Sequence, residues 1–543
     1  MQAVINELYI MFKKFLCISI CLVVGYATHI FAQKTTKVFI ISDTHTMAPE
    51  LLVEDGMAIQ SEENRSQNLF RYSHEFLLAM KDTILQRKPD LVFIPGDLSK
   101  DAEYVSHQAI IGVLEQIRQQ GIKVFVIPGN HDTNLIGHYF VGDMYLPAET
   151  TTGDQFVDLY QDFGYATAIE RDKASLSYVC EPVEGLRLIC IDSEDNYDTR
   201  FADGNEEQIH SFEKALEWIL AKADEGCAAG KQVIAMMHHN ILEHFDGQAE
   251  YMPSYFLQNG KNISQQFLKH GIHLVITGHT HLQDIAKNYN QERTDSIIDI
   301  STGSLLSFPC PFRELTFNED FTVVDVKTGY LTHTESVEDV LARSQERLFA
   351  NTLQRCPLYA VKFWSSFRRK LNQFSSIFSA LGVEVYRFPQ TSDEFGELTT
   401  KYMGVPLAKA SMIWYGGNEW KNPASATIEQ EMKDSMLAMS VGMLGDETLG
   451  QMAFDYAMQS YYTETFQPIV NSALNDCTYY GTEYADITDD EQTTLTLPKP
   501  SLSAIRNISI YDQDNAYYTL DGRKVTSLKK GIYIHQGKKI VVQ

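Results

Sequence analysis

Five short segments carry residues that can hold cations and move protons. They are Asp43-Thr44-His45, Gly96-Asp97, Gly129-Asn130-His131-Asp132, His238-His239 and Gly278-His279-Thr280-His281. Carboxylate and amide oxygens mixed with imidazole nitrogens suit a pair of iron, manganese or zinc ions, and the lack of thiolates argues against a soft-metal site. A carboxylate can bridge two ions, and Asp97 is the natural bridge. Glycines beside Asp97, Asn130 and His279 let the backbone turn sharply. One such segment alone means little, because Asp-x-His triplets and His pairs are common. The order and placement of all five carry the reading.

Each segment follows a stretch with the pattern of a strand. Residues 37–42 (KVFIIS), 90–94 (DLVFI), 123–127 (KVFVI), 232–237 and 273–277 are short apolar runs, as expected of strands buried on both faces. Helical stretches at 68–86, 104–119, 206–223 and 263–270 lie between them, giving a repeated β-α-β grammar. Residues 175–180 and 186–192 flank a Pro-Val-Glu-Gly turn and read as a hairpin; 296–301 and 321–326 are the last strands, and the unit ends near 335. In an open α/β sheet, ligands gather beyond the carboxyl ends of the strands, so loops far apart in the chain can converge.

These segments resemble the signature of the calcineurin-like metallophosphoesterase family: D-x-H, G-D-x-x, G-N-H-[DE], a later His, and G-H-x-H. All are present in order over about residues 37–335. The resemblance implies an α/β fold, a four-layer α/β sandwich with two mixed sheets. It also implies two divalent or trivalent ions (manganese, iron or zinc), one held by Asp43, His45, Asp97 and His281 and the other by Asp97, Asn130, His238 and His279. The first His of the 238–239 pair is the family ligand, which leaves His239 next to substrate or in the core. His131 would stand beside the leaving-group oxygen as the catalytic acid, oriented by Asp132. A metal-bound water that loses its proton near neutral pH would attack phosphorus.

Softer candidates surround this set. Arg313 could pair with phosphate, since a guanidinium matches phosphate oxygens bidentately; a structural ion pair is the competing reading. Asn68, His74, Asp192, His244 and Phe308 lie near the motif loops and could line a substrate pocket.

The formal net charge of −26 argues against a nucleic-acid polymer as partner, because such binding rests on clustered Lys and Arg. A small phosphoester substrate is expected instead. Lys13 and Lys14 precede the apolar run 15–24, and Ala32 stands before Gln33, the layout of a secretory signal peptide. The run is too short for a spanning helix, so no membrane span is expected once it is removed. The remaining cysteines (Cys180, Cys190, Cys227, Cys310, Cys356 and Cys477) show no CxxC spacing. Disulfides and buried free thiols are both open.

The expected domains are a signal peptide (1–32), the phosphoesterase unit (33–335), a helical accessory domain (336–495), and a linker with a β-rich tail (496–543). Ser336 and Asp339 have capping-box spacing ahead of the helical part. Met432, Met436, Met439 and Met443 recur at helical spacing, which marks a core face. In the tail, 518–525, 530–534 and 537–542 resemble the C-terminal sorting domains of type IX-secreted bacterial proteins. That implies contact with secretion machinery and a place in the periplasm, at the cell surface or outside the cell.

The function expected is a secreted dinuclear hydrolase of phosphate esters. Spacing within 90–132 is similar to the cyclic-nucleotide phosphodiesterase branch, which puts diesters ahead of monoesters. Two alternatives stand: a phosphomonoesterase of the same fold, and a catalytically silent, metal-stabilised surface binding protein. The His131–Asp132 pair speaks against the latter, since a scaffold has no need of an acid.

Overall fold

The computed structural model describes residues 34–194, 206–380, 382, 388–417, 419, 422–475, 477 and 489–500, with four short strands between 517 and 542. The segment read as a signal peptide and most of the tail lie outside the described residues. Two sheets form the centre. The first has the order β13-β12-β11-β1-β2-β3, where β1 is Thr36–Ile40, β2 Leu91–Ile94, β3 Lys123–Val126, β11 Pro311–Phe317, β12 Val323–Tyr330 and β13 Gln492–Thr496. The second has the order β9-β10-β8-β7-β6-β5-β4, from β4 (Glu170–Arg171), β5 (Tyr178–Cys180), β6 (Leu186–Ile191), β7 (Gln232–Met237), β8 (Ile272–Thr277), β9 (Asp284–Tyr289) and β10 (Ser296–Ser301). Both sheets are mixed: β1, β2 and β3 run parallel, as do β6, β7, β8 and β10, while β11, β12 and β13 return antiparallel.

Strand alternation builds the layers. In β6 and β7, Leu186, Leu188, Cys190, Ile234 and Met236 face inward and share a core with Val38, Phe39, Phe93 and Phe312 of the first sheet. Their neighbours Ile189, Ile191, Val233, Ala235 and Met237 point the other way. There they meet Ile219 and Ala223 of α3 (Glu206–Ala228) and Ile263 and Phe267 of α4 (Gly260–Lys269). Helices α1 (Ser73–Arg87) and α2 (Tyr104–Arg118) cover the far face of the first sheet. In α2 the buried Ile110, Val113, Leu114 and Ile117 recur three and four apart, an apolar stripe on one side of the helix. The result is a four-layer α/β sandwich.

A helical region follows, with α5 (Val340–Ala380), α6 (Ser392–Gly416), α7 (Pro423–Leu444) and α8 (Gln467–Leu474). Met432, Met436 and Met439 are fully buried in its core. Asp339, not Ser336, caps α5: its carboxylate accepts the Ala342 N–H at 2.9 Å, and the Ser336 N–H is taken by Glu75. Three α5 side chains at four-residue spacing fasten this region to the sandwich. Arg347, Asn351 and Arg355 donate to the carbonyls of Ser66, Asn64 and Arg65 at 2.7, 3.2 and 3.0 Å.

The chain then returns to the sandwich. Residues 492–496, which span the expected boundary between the helical domain and the linker, pair with β12 as an added edge strand. This stretch is therefore a structural part of the first sheet. Tail strands Tyr517–Tyr518, Lys524–Val525, Gly531–His535 and Lys538–Val542 form a separate antiparallel sheet. All six cysteines among the described residues are free. No helix among the described residues is long and apolar enough to cross a membrane.

Arg313 belongs to this frame. It lies on β11 with no exposed surface, and its guanidinium donates to the carbonyls of Asp284 and Ser301 at 3.1 and 3.0 Å, to Thr328 Oγ1 at 3.1 Å, and to the Asp490 carbonyl. It joins both sheets to the returning segment and does not reach the motif loops, so it is no phosphate ligand. Arg313→Ala is expected to lower stability by about 3–5 kcal/mol, because a buried charged hub is removed and its partners are left unsatisfied. Chemical denaturation measures this; an unchanged midpoint would contradict the assignment.

Candidate metal centre

The parallel strands β1, β2, β3, β7 and β8 all end on one edge, and the five motif loops leave from there. Asp43, His45, Asp97, His279 and His281 each take a left-handed backbone, with φ from 35° at His45 to 67° at His279. Such conformations cost about 1–3 kcal/mol each in non-glycine residues and persist where the surroundings over-determine them. Glycines permit the crowding: a Cβ on Gly129 would collide with Asp97, and one on Gly278 with Ser42 and Asp43.

Two clusters result. Asp43, His45 and His281 each offer one donor atom, all within 4.8 Å of one another, and so do Asp97, His238 and His279. Asp97 joins them: its Oδ2 lies 3.5 Å from His45 Nε2 and 3.3 Å from His238 Nε2. His281 Nε2 is 3.4 Å from Asp43 Oδ1 and 3.1 Å from His45 Nε2, and Asn130 Oδ1 is 3.2 Å from His238 Nε2. Two imidazole nitrogens turned toward each other between carboxylates make a poor hydrogen-bond set and a good ligand set. The donors therefore fit a cation pair with Asp97 shared.

Hydrogen bonds behind the donors hold them in place, as metal ligands require. His238 Nδ1 donates to the Pro95 carbonyl at 2.8 Å, which turns its Nε2 to the centre. Ser42 Oγ donates to Asp43 at 2.5 Å, the His279 N–H donates to the same carboxylate at 3.0 Å, and the His131 N–H donates to Asp97 Oδ1 at 2.8 Å. Burial pushes the His45 and His279 imidazoles down to about 3, so both stay neutral with a lone pair available. Burial also disfavours the His238 cation, yet Asp97 outweighs it and holds that ring up to about 10. A metal ion must displace that proton.

His131 sits at the floor of the adjoining cavity, beside His45 with ring centroids 4.8 Å apart. Its Nδ1 lies 2.6 Å from the Lys100 carbonyl and 3.0 Å from Asp101 Oδ1. Burial works against its charge, but Asp97 and Asp101 raise it to about 9. The imidazolium form is thus favoured at neutral pH.

Asp132 does something other than orient His131. Fully buried, it accepts the N–H groups of Leu98, Ser99 and Gly129 at 3.1, 2.8 and 2.9 Å, tying two motif loops together. The family resemblance gave Asp132 as the partner; the carboxylate that faces the ring is Asp101, four residues after Asp97 in the same loop. Asp101→Asn is expected to lower kcat by about tenfold or more with little change in Tm, whereas Asp132→Asn is expected to lower Tm first. Kinetics and thermal melting of the two variants separate these roles. A larger kcat loss for Asp132→Asn at unchanged Tm would reverse them.

The remaining candidates divide. His239 is buried behind the centre, 2.9 Å from Ser193 Oγ, with its ring 4.4 Å from that of His279; it supports a ligand and does not face the cavity. Asn68 lines the cavity. His244 is buried against Asp284 at 2.7 Å, and Asp192 accepts the Leu176 N–H at 3.0 Å, so both are structural. His74 and Phe308 are not among the residues that line the cavity.

A match to a family model agrees with this geometry. Residues 36–283 match the family model described as calcineurin-like phosphoesterase. The sequence matches no curated protein. Among solved structures, a dimetal phosphatase from Danio rerio aligns at 13% identity with a TM-score of 0.38, covering 54% of this chain and 95% of that one. Purple acid phosphatase from yellow lupin (Lupinus luteus) seeds aligns at 13% identity with a TM-score of 0.33, covering 57% of this chain and 53% of that one. Residues 36–283 are a calcineurin-like phosphoesterase domain, and the chain that carries them is a metal-dependent phosphoesterase.

Proposed function

We propose that the protein is an exported hydrolase of phosphate esters that prefers diesters. In this reading Asp43, His45, Asp97 and His281 hold one ion, and Asp97, Asn130, His238 and His279 hold the other. The observation that carries it is the single Asp97 oxygen set between His45 and His238 at 3.5 and 3.3 Å, with the His131 ring beside that of His45. Ions held by these residues would supply Lewis acidity to phosphoryl oxygens and to water at neutral pH.

The side chains do the rest. His131 gives its proton to the departing ester oxygen, and Asp101 and the Lys100 carbonyl fix Nδ1 as the inward-held nitrogen, leaving Nε2 for the substrate. The left-handed backbones at the ligands hold the donors before substrate arrives, which limits reorganisation during the reaction. The diester preference rests on the spacing of the 90–132 segment. Bis-p-nitrophenyl phosphate is expected to be hydrolysed faster than p-nitrophenyl phosphate by the manganese-loaded protein; faster turnover of the monoester would reverse the preference.

Export rests on the charged, apolar and small-residue order of residues 13–32 and on the tail strands. Cell fractionation that leaves the chain in the cytoplasm would contradict it.

A further inference from the structure

The metal centre forms one end of a cavity of about 900 Å³ that continues between the sandwich and the helical region. That is near the upper limit of about 300–1,000 Å³ usual for small-molecule sites, and far more than a phosphoryl group needs. The near end carries His45, Asp97, Asn130, His131, His279 and His281. The far wall is built by α5, α6 and α8, with Leu348, Phe363, Leu407, Trp414, Ile469 and Val470 among its residues.

Four Ser and Thr residues also lie on that helical wall, and each hydroxyl donates to a main-chain carbonyl. Thr352 donates to the Leu348 carbonyl at 2.9 Å, Thr399 to Phe395 at 2.8 Å, Ser411 to Leu407 at 3.0 Å and Ser472 to Asp246 at 2.7 Å. The aromatic rings close the wall laterally. Phe245 meets Trp414 edge-on at 5.1 Å and Trp414 tilts onto Tyr415 at 5.1 Å. Against the apolar side chains of this wall a nucleobase or sugar would leave most of its polar groups unpaired, which costs free energy, and Trp414 Nε1 is the one unpartnered donor of α6 that it would meet. An alkyl chain would lose nothing and would release ordered water.

We propose that this helical wall receives the aliphatic part of an amphiphilic phosphoester, so that the substrate class is phosphate esters of long-chain, lipid-type alcohols. This rests on the phosphoesterase reading of the metal centre and deepens it. It also gives the helical region a purpose: α5 is tied to the loop 64–66 at three points, which holds the apolar wall at a fixed distance from the metal donors. The tyrosines Tyr251 and Tyr359 stand half-exposed where the cavity meets solvent, suited to an entrance with one apolar and one wet side.

The test is a chain-length series below micelle-forming concentrations. kcat/KM is measured for the methyl, butyl and octyl esters of p-nitrophenyl phosphate, and Kd for methyl-, butyl- and octylphosphonate by tryptophan fluorescence. Both are expected to improve by about two- to fourfold per added methylene. Leu407→Asp and Ile469→Asp, which put a charge on the helical wall, are expected to flatten both slopes. Flat slopes in the wild-type protein overturn the proposal, and they do so even if the variants fail to fold. Hydrolysis of the methyl ester with flat slopes leaves the phosphoesterase reading intact. Chain-length-dependent phosphonate binding without hydrolysis of any ester keeps the apolar site and overturns the phosphoesterase reading.

Discussion

Replacing Asp97 with Ala is expected to lower phosphoesterase activity by at least about 10⁴-fold and to reduce bound metal below that of the wild type. The reason is position. Asp97 Oδ2 faces His45 on one side and His238 on the other, so its loss removes a ligand from both ions and the charge that brings them together. Its second oxygen also receives the His131 N–H, so the acid loses part of its seat. Metal content and initial rates on the same preparation measure the effect. Asp97→Ala protein with full metal and near-normal rates would mean that the two clusters are independent of this carboxylate.

The second large effect concerns His131. His131→Ala is expected to lower kcat by about 10²–10⁴-fold, the usual contribution of a positioned general acid, while metal content stays as in wild type. The loss should shrink for esters with good leaving groups such as p-nitrophenolate, which need little protonation to depart. It should be greatest for alkyl leaving groups. Rates of the variant on a series of leaving groups test this directly. An equal loss across the series would make His131 a binding group and not the acid.

Much of this centre was legible in the sequence because metal chemistry restricts both residue type and backbone. The five loops could be read from His, Asp and Asn beside glycine at the ends of apolar runs, and the structure brings all seven proposed ligands to one edge of the two sheets. Pairings that depend on side-chain direction were not legible. Asp101 lies four residues from Asp97 in a loop whose path the sequence does not give, so Asp132, the neighbour in the motif, stood in for it. Arg313 shows the same limit: a guanidinium near the motif loops and one that bridges sheets from β11 look alike in sequence, and only burial separates them. Residues 492–496 carry polar alternation that reads as an edge strand only once β12 is seen to offer an open edge. The cavity was the least legible feature. Its far wall comes from helices whose apolar stripes serve an internal core as well, and spacing alone does not tell a residue in that core from one facing an empty volume.

Catalysis in this protein requires that these donors hold a pair of ions. The most direct measurement is the metal content of protein stripped with chelator, reloaded with manganese, iron or zinc in turn, and freed of excess metal. About two ions per chain are expected with at least one of these metals, with Asp97→Ala protein retaining fewer. Wild-type protein that retains no ion with any of the three metals, or that hydrolyses phosphoesters at full rate after stripping, would contradict it.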